Sequence, residues 1–120
     1  MPKKTLVIGA SDNPSRYSYL AIRQLANHHQ PVVALGKRAG FVEGVPILTE
    51  KPLDPDFDTV TLYLNPTHQK SYYDYILSLR PRRLLFNPGT ENNELAQLAA
   101  AKGIEPVEAC TLVLLSTGQY

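Results

Sequence analysis

Thr5-Leu6-Val7-Ile8-Gly9-Ala10-Ser11-Asp12-Asn13-Pro14-Ser15-Arg16 is an apolar run that stops abruptly in a small-residue turn and gives way to an amphipathic segment. Leu6-Val7-Ile8 is unbroken and suits a strand covered on both faces. Gly9 lets the backbone turn sharply and approach a neighbour or a ligand with no Cβ in the way. Pro14 and Ser15 suit the start of a helix. From Tyr17 to His28 the apolar residues Leu20, Ala21, Ile22, Leu25 and Ala26 recur at helical spacing. This is how a first strand hands over to a first helix in a doubly wound α/β domain. There, phosphate-bearing ligands sit beyond the strand's C-terminal end, against the unpaired N–H groups and the positive dipole end of the helix.

The remainder of the chain repeats the alternation. Pro31 restarts it, and Val32-Val33-Ala34-Leu35 reads as the second strand, ending at Gly36-Lys37-Arg38. Residues 37–58 hold Gly40, Gly44, Pro46, Pro52 and Pro55 and no helical stripe. They predict a loop with a short extended piece at Val45-Pro46-Ile47-Leu48 and at most one helical turn, unlike an ordinary βαβ crossover. The third strand is expected from Thr59 to Leu64. Asn65-Pro66-Thr67 then opens one helix with Tyr72, Tyr75, Ile76 and Leu79 on its buried face, stopped by Pro81. Arg83-Leu84-Leu85-Phe86 is the fourth strand, followed by the Asn87-Pro88-Gly89-Thr90 loop. A helix around Leu95, Leu98 and Ala99 ends at Lys102-Gly103, and Ile104 to Val107 makes a short fifth strand. Thr111 to Leu115 fits either a last helical turn or an added strand. The expected fold is an α/β three-layer sandwich, a Rossmann-like doubly wound parallel sheet of about five strands in a single domain spanning 1–120. Its loops at Gly9-Ala10-Ser11, Gly36-Lys37-Arg38, Asn65-Pro66 and Asn87-Pro88-Gly89 then converge on one edge.

Bulk properties narrow the function. The 120 residues are 43% hydrophobic and 19% charged, which is ordinary for a folded domain. A formal net charge of +1 gives no support to a general polyanion binder such as a nucleic-acid protein. No apolar run approaches the roughly 20 residues of a membrane span. Met1-Pro2-Lys3-Lys4 is basic, but the apolar run behind it stops at Gly9-Ala10, too soon for a signal peptide. A single cysteine, Cys110, cannot form an internal disulfide and fits a reducing compartment, so the cytoplasm is expected.

The ligand class is read from the loops. The Gly-x-Gly-x-x-Gly dinucleotide fingerprint is absent after Gly9, and no Gly-Lys-Ser/Thr of a P-loop follows the first strand. An acidic residue at the end of the second strand would accept hydrogen bonds from an adenosine ribose diol. This chain has Lys37 and Arg38 there instead. Cations at that place suit a phosphorylated ribose, as in the 2′-phosphate of NADP or the 3′-phosphate of coenzyme A. Arg16, at the helix start, is either a third phosphate partner or a surface residue.

Gly9-Ala10-Ser11-Asp12-Asn13-Pro14-Ser15-Arg16 resembles the Gly-Ala-Ser-x-x-x-x-Lys/Arg opening of the stand-alone CoA-binding domain family. A similar domain forms the nucleotide-binding half of the succinyl-CoA synthetase α subunit. Gly36-Lys37 resembles the family's Gly-Lys, and Gly44-Val45-Pro46-Ile47 its Gly-x-Pro-Val segment. Asn65-Pro66, Asn87-Pro88-Gly89 and Cys110 also fall where that family has its loops and its late cysteine. The resemblance implies coenzyme A or an acyl-CoA as ligand, its phosphates on the Gly9-Ala10-Ser11 turn with Asn13, Pro14 and Arg16 behind it. It further implies cationic contact from Lys37, with Gly36 and Arg38 beside it, and adenine near Asn65, Pro66, Asn87, Pro88 and Gly89. One departure stands out: many stand-alone members end the second strand in a Val-Asn-Pro-like triplet, where this chain has Leu35-Gly36-Lys37. The phosphohistidine loop of the synthetase has no counterpart here, so its reaction is not implied.

Other residues read more simply. Cys110 lacks a nearby histidine in the sequence pattern and reads as a buried structural cysteine rather than a nucleophile. His28-His29 lie at the far end of the first helix and point apart, so no metal set is expected. His68 sits on the ligand edge. Asp54, Asp56 and Asp58 alternate but lack the glycine and distal glutamate of a calcium loop, and read as a solvated turn. Tyr72, Tyr73 and Tyr75 have the spacing of helix packing. The reading that results is a CoA or acyl-CoA binding protein with no identified catalysis, no metal, no nucleic acid and no membrane. Its alternatives are a small NADP- or other nucleotide-dependent or acyl-CoA-processing enzyme, which would need His68 or Glu91 as acid or base, and a ligand-regulated interaction module. An exposed apolar patch at Leu112–Leu115 would favour that module or a homodimer.

Overall fold

The computed structural model describes residues 2–120. Seven strands form one sheet: β1 Thr5–Ile8, β2 Val32–Leu35, β3 Gly40–Val42, β4 Val45–Leu48, β5 Thr59–Leu62, β6 Arg83–Phe86 and β7 Glu105–Glu108. Their order across the sheet is β3-β4-β2-β1-β5-β6-β7. All neighbours are parallel except β3 and β4. The helices are α1 Tyr17–Asn27, α2 Pro66–Gln69, α3 Tyr73–Leu79, α4 Asn93–Ala101 and α5 Thr111–Ser116.

The pleat explains the layers. Leu6 and Ile8 of β1 point into one cluster with Leu62, Ile76, Phe86 and Leu95, beneath α3 and α4. Val7 points the other way, to Ile22, Leu25, Ala34 and Leu115 beneath α1 and α5. Every residue of β1, β5 and β6 is buried, as strands covered on both faces must be. Ile22 and Leu25 are fully buried on α1, and each contributes about 1.5–3 kcal/mol by leaving water. At the opposite end of the sheet from the loops, Arg83 Nε donates to Thr59 Oγ1 at 2.8 Å, and its guanidinium stacks 4.3 Å from the Tyr120 ring, whose hydroxyl bonds Thr5.

The expected sheet of about five strands is corrected to seven. The five contiguous strands β2-β1-β5-β6-β7 are the expected ones. The difference is a hairpin in residues 37–58, where β3 pairs antiparallel with β4 and β4 pairs in parallel with β2. Glu43 (φ 50°) and Gly44 (φ 79°) form its two-residue turn, the backbone that suits the twist of a tight hairpin. Arg23 Nε, 3.1 Å from Glu43 Oε1, ties that turn to α1. The helix expected after Asn65 is broken by a 3₁₀ turn, Lys70–Tyr72. Residues 111–116 are helical, and Val113 is the exposed side chain among Leu112–Leu115, so no continuous apolar patch lies there. Asp54 and Asp56 both bond Lys4 Nζ, at 2.7 and 2.9 Å, and Asp58 bonds Arg82, so the acidic triplet pins its loop through cations.

From β1 the chain goes to β2 on one side, builds the hairpin outward, then returns across β1 to β5 on the other side. The connections leaving β1 therefore diverge and open a crevice at its C-terminal end. Backbone contacts close the strand ends around it. Gly9 N and Ala10 N both donate to Leu35 O, at 3.0 and 2.9 Å, and Tyr63 N donates to Ile8 O at 2.9 Å. A Cβ on Gly36 would stand 2.3 Å from Ala10 O, and one on Gly9 (φ +91°) 2.9 Å from the Tyr63 carbonyl. Gly36→Ala should therefore destabilise the protein by at least about 2 kcal/mol, through collision with backbone that cannot rotate away. Gly44→Ala, in open space, should cost only about 1 kcal/mol from its left-handed backbone. Denaturant unfolding of the two variants checks that order.

Candidate functional site

A cavity of about 770 Å³ fills the crevice, within the range of about 300–1,000 Å³ common for small-molecule sites. The β1–α1 loop supplies one wall and is held by its own side chains. Asn13 N donates to Ser11 Oγ at 3.0 Å; Asn13 Oδ1 accepts from Ser15 N at 3.0 Å and from Ser15 Oγ at 2.8 Å. This turn delivers Arg16 to the start of α1. No side chain caps α1, and its first turn holds no acidic residue. By contrast Asn65 caps α2 and Asn92 caps α4, each through its side-chain oxygen. The N-terminus of α1, with Tyr17 and Ser18 on the cavity, thus keeps backbone donors and the positive dipole end free for an anion.

The electrostatics agree in sign. Arg16, Lys37 and Arg38 line the cavity against one carboxylate, Asp12, although the whole chain is only +1. Positive charge is therefore concentrated at this edge by the fold. Low-dielectric walls strengthen such a field, and electrostatic steering of an anion follows.

Beneath the floor lies a buried polar layer. Asn87 Nδ2 donates to Thr61 Oγ1 at 2.6 Å and to Leu62 O at 2.9 Å, while its Oδ1 accepts from Thr111 N at 2.8 Å. Thr61 and Thr111 share a 2.8 Å hydroxyl bond. Tyr63 lines the cavity, and its hydroxyl is buried beside these groups without a well-formed hydrogen bond. Burial pushes that phenol above the ordinary tyrosine range, so it stays neutral. Gln69 is a second anchor: Nε2 donates to Leu64 O and Thr90 O, both at 2.8 Å, and Oε1 accepts from Asn92 at 2.9 Å. One fully buried amide thereby fixes α2, the β5 exit and the loop after β6 relative to one another.

The cavity gathers most of the residues expected at the site. Gly9, Ala10, Ser11, Asn13 and Arg16 come from the first loop, Lys37 and Arg38 from the second, and Asn65, Pro88 and Gly89 from the third and fourth. Pro14, Gly36, Pro66 and Asn87 lie outside its lining, for physical reasons the contacts supply. Gly36 is spent on the Ala10 carbonyl, Pro66 begins α2 behind its Asn65 cap, and Asn87 is a buried strut with its amide occupied. Pro14 follows Asn13 in the turn that carries Ser15. Tyr63, Leu64, His68 and Thr90 also line the cavity. Of these the chain order marks only His68, because a histidine follows the Asn-Pro helix start. Cys110 stands at the N-cap of α5, half-buried rather than buried, and is not in the lining. Among the described residues no cluster of His, Cys, Asp or Glu could hold a metal ion, and no helix is long and apolar enough to cross a membrane.

A mostly parallel doubly wound sheet with a cationic crevice at its switch point defines a Rossmann-like α/β domain. The chain belongs to the CoA-binding domain family, whose model matches residues 3–116. It is similar along its whole length to an uncharacterized protein of known crystal structure, with 49% identity, a TM-score of 0.97, and coverage of 100% of this chain and 99% of that one. A Thermus thermophilus protein shares the fold at 20% identity and TM-score 0.86, covering 99% of this chain and 91% of that one. So does part of a dinucleotide-forming acetyl-coenzyme A synthetase 1 from Ca. Korarchaeum cryptofilum, solved in complex with phosphate and ADP. There the identity is 19% and the TM-score 0.70, over 92% of this chain and 26% of that one. No curated protein matches the chain.

Gln69→Ala would leave Leu64 O and Thr90 O without the amide that bonds them, and the Asn92 amide with the Tyr73 hydroxyl alone. The expected loss is about 2–4 kcal/mol of unfolding free energy, since each buried orphan costs about 1–3 kcal/mol and water entering the space left behind recovers part. Denaturant titration reads it. An exposed control, Gln97→Ala, should change stability by less than about 0.5 kcal/mol.

Proposed function

We propose that this protein binds coenzyme A or an acyl-CoA in the crevice at the C-terminal edge of the sheet. The observation that carries the reading is the concentration of Arg16, Lys37 and Arg38 beside the uncapped start of α1, in a chain of the CoA-binding domain family. In this reading the diphosphate lies on the Gly9-Ala10-Ser11 turn and the Tyr17–Ser18 end of α1. The phosphorylated ribose lies against Lys37 and Arg38, and the rest of the ligand follows the Asn65 and Pro88-Gly89 loops. Cations at the exit of β2 favour a ribose carrying a phosphate over a bare diol. The chain acts as a binding unit, with any reaction on the ligand supplied by another protein. Its single thiol fits the reducing cytoplasm.

Isothermal titration with CoA, dephospho-CoA, NADP and NAD in parallel tests this. CoA should bind, and dephospho-CoA should bind at least about tenfold more weakly, the cost of losing one charge-assisted hydrogen bond of about 1.5–3 kcal/mol. Lys37→Ala should weaken CoA by a similar factor and leave dephospho-CoA nearly unchanged. Preference for NADP or NAD over CoA would overturn the ligand assignment.

A further inference from the structure

A smaller cavity of about 330 Å³ adjoins the main one, and the two share Lys37, Leu64 and His68. His68 therefore stands where the two spaces meet. The backbone that carries it is fixed: His68 N donates to Asn65 Oδ1 at 3.0 Å, and the next residue, Gln69, is the buried anchor of α2. The side chain itself is exposed. Lys37, from the β2 exit, lines both cavities, and Lys70 lines the smaller one. Lys51 Nζ approaches Ser71 O at 3.5 Å behind it. Arg16, Arg38 and Asp12 also line the main cavity, and Glu91 sits on the fourth loop with its carboxylate accepting from Gly89 N. Within this set His68 alone is of a residue type that changes charge between about pH 5 and 8.

We propose that His68 makes ligand binding proton-linked: an anionic ligand spanning the two cavities is held more tightly by the imidazolium than by the imidazole, so binding takes up a proton. The proposal rests on the CoA reading of the site and adds a regulation to it. The cations around His68 form an excess that a bound phosphate offsets. In the complex an opposite charge then faces the ring where a bare cationic rim faced it before. Linkage fixes the sign. If the ligand favours protonated His68, protonated His68 favours the ligand by the same factor. The extra affinity is fully present at the acid end of the imidazole range and is lost as pH rises through it. One charge–charge contact of this kind changes affinity by about three- to tenfold.

Isothermal titration of CoA at about pH 6 and about pH 8, each in two buffers of different ionisation enthalpy, tests the proposal in wild type, His68→Gln and His68→Arg. The 3′-phosphate titrates in the same range, and His68→Gln isolates that contribution. Relative to His68→Gln, the wild type should gain about three- to tenfold in affinity at the lower pH and take up additional protons. His68→Arg should bind tightly at both pH values without the additional uptake. Unchanged melting temperatures check that the variants fold, since the His68 backbone cap is retained. Matching pH profiles and proton counts in wild type and His68→Gln overturn the proposal while leaving CoA binding intact. Failure of CoA to bind the wild type at either pH overturns the CoA reading and this inference with it.

Discussion

Three backbones meet at one point: the turn after β1, the end of β2 and the exit of β5. The contacts leave no room for a methyl group between Gly36 and the Ala10 carbonyl, or between Gly9 and Tyr63. Because of this closeness the Gly9-Ala10-Ser11 turn is held against the ends of β2 and β5, and the loop after it leads into α1 at Tyr17. A bulkier residue at either glycine would push the loops apart and widen the crevice. Glycine at these two positions is a requirement of packing first. The N–H groups of Gly9, Ala10 and Gly36 are themselves spent on the strand ends, so the donors left for an anion are those at the uncapped start of α1.

Around that contact the molecule separates rigidity from charge. Asn87 joins β5, β6 and α5 through Thr61, Leu62 and Thr111. Gln69 joins α2 to the β5 exit and the loop after β6. Both amides are buried and fully bonded, and breaking either would strand buried partners. The cations, in contrast, are at the surface of the cavity on flexible stems, and Lys37 and Arg38 are exposed. A fixed scaffold with mobile charges can close on an anion without distorting the sheet.

Much of this was legible in the sequence wherever the signal was local. Leu6-Val7-Ile8 followed by Gly9-Ala10-Ser11 announces a buried strand and a tight turn, and Lys37 and Arg38 announce their place by following the second strand. The hairpin was legible in one arm: the expected extended piece at Val45–Leu48 is β4. Its other arm, β3, and the pairing were not legible, because Gly40 and Gly44 read as breakers and the Glu43-Gly44 turn has a left-handed backbone that the glutamate does not advertise. The polar anchors were hidden for a different reason. Asn87 looks like a loop residue open to a ligand until Thr61 and Thr111 are placed opposite it, 26 and 24 residues away in the chain. Gln69 carries no signal in the sequence, and only the fold shows it buried against Leu64 O and Thr90 O. What an amide does depends on what tertiary structure sets before it, and no local pattern carries that.

An anion-binding crevice at the β1 switch point is tested most directly by a residue-resolved map of ligand contact. In a ¹H–¹⁵N NMR titration with CoA, the largest amide shifts should fall on Gly9 to Ser18 other than Pro14, on Lys37 and Arg38, and on Leu64 to His68 other than Pro66. Amides of the hairpin turn at Glu43-Gly44 and of the β7 edge should stay still. Shifts concentrated on the hairpin or the β7 edge, with the Gly9–Ser11 turn unmoved, would contradict it.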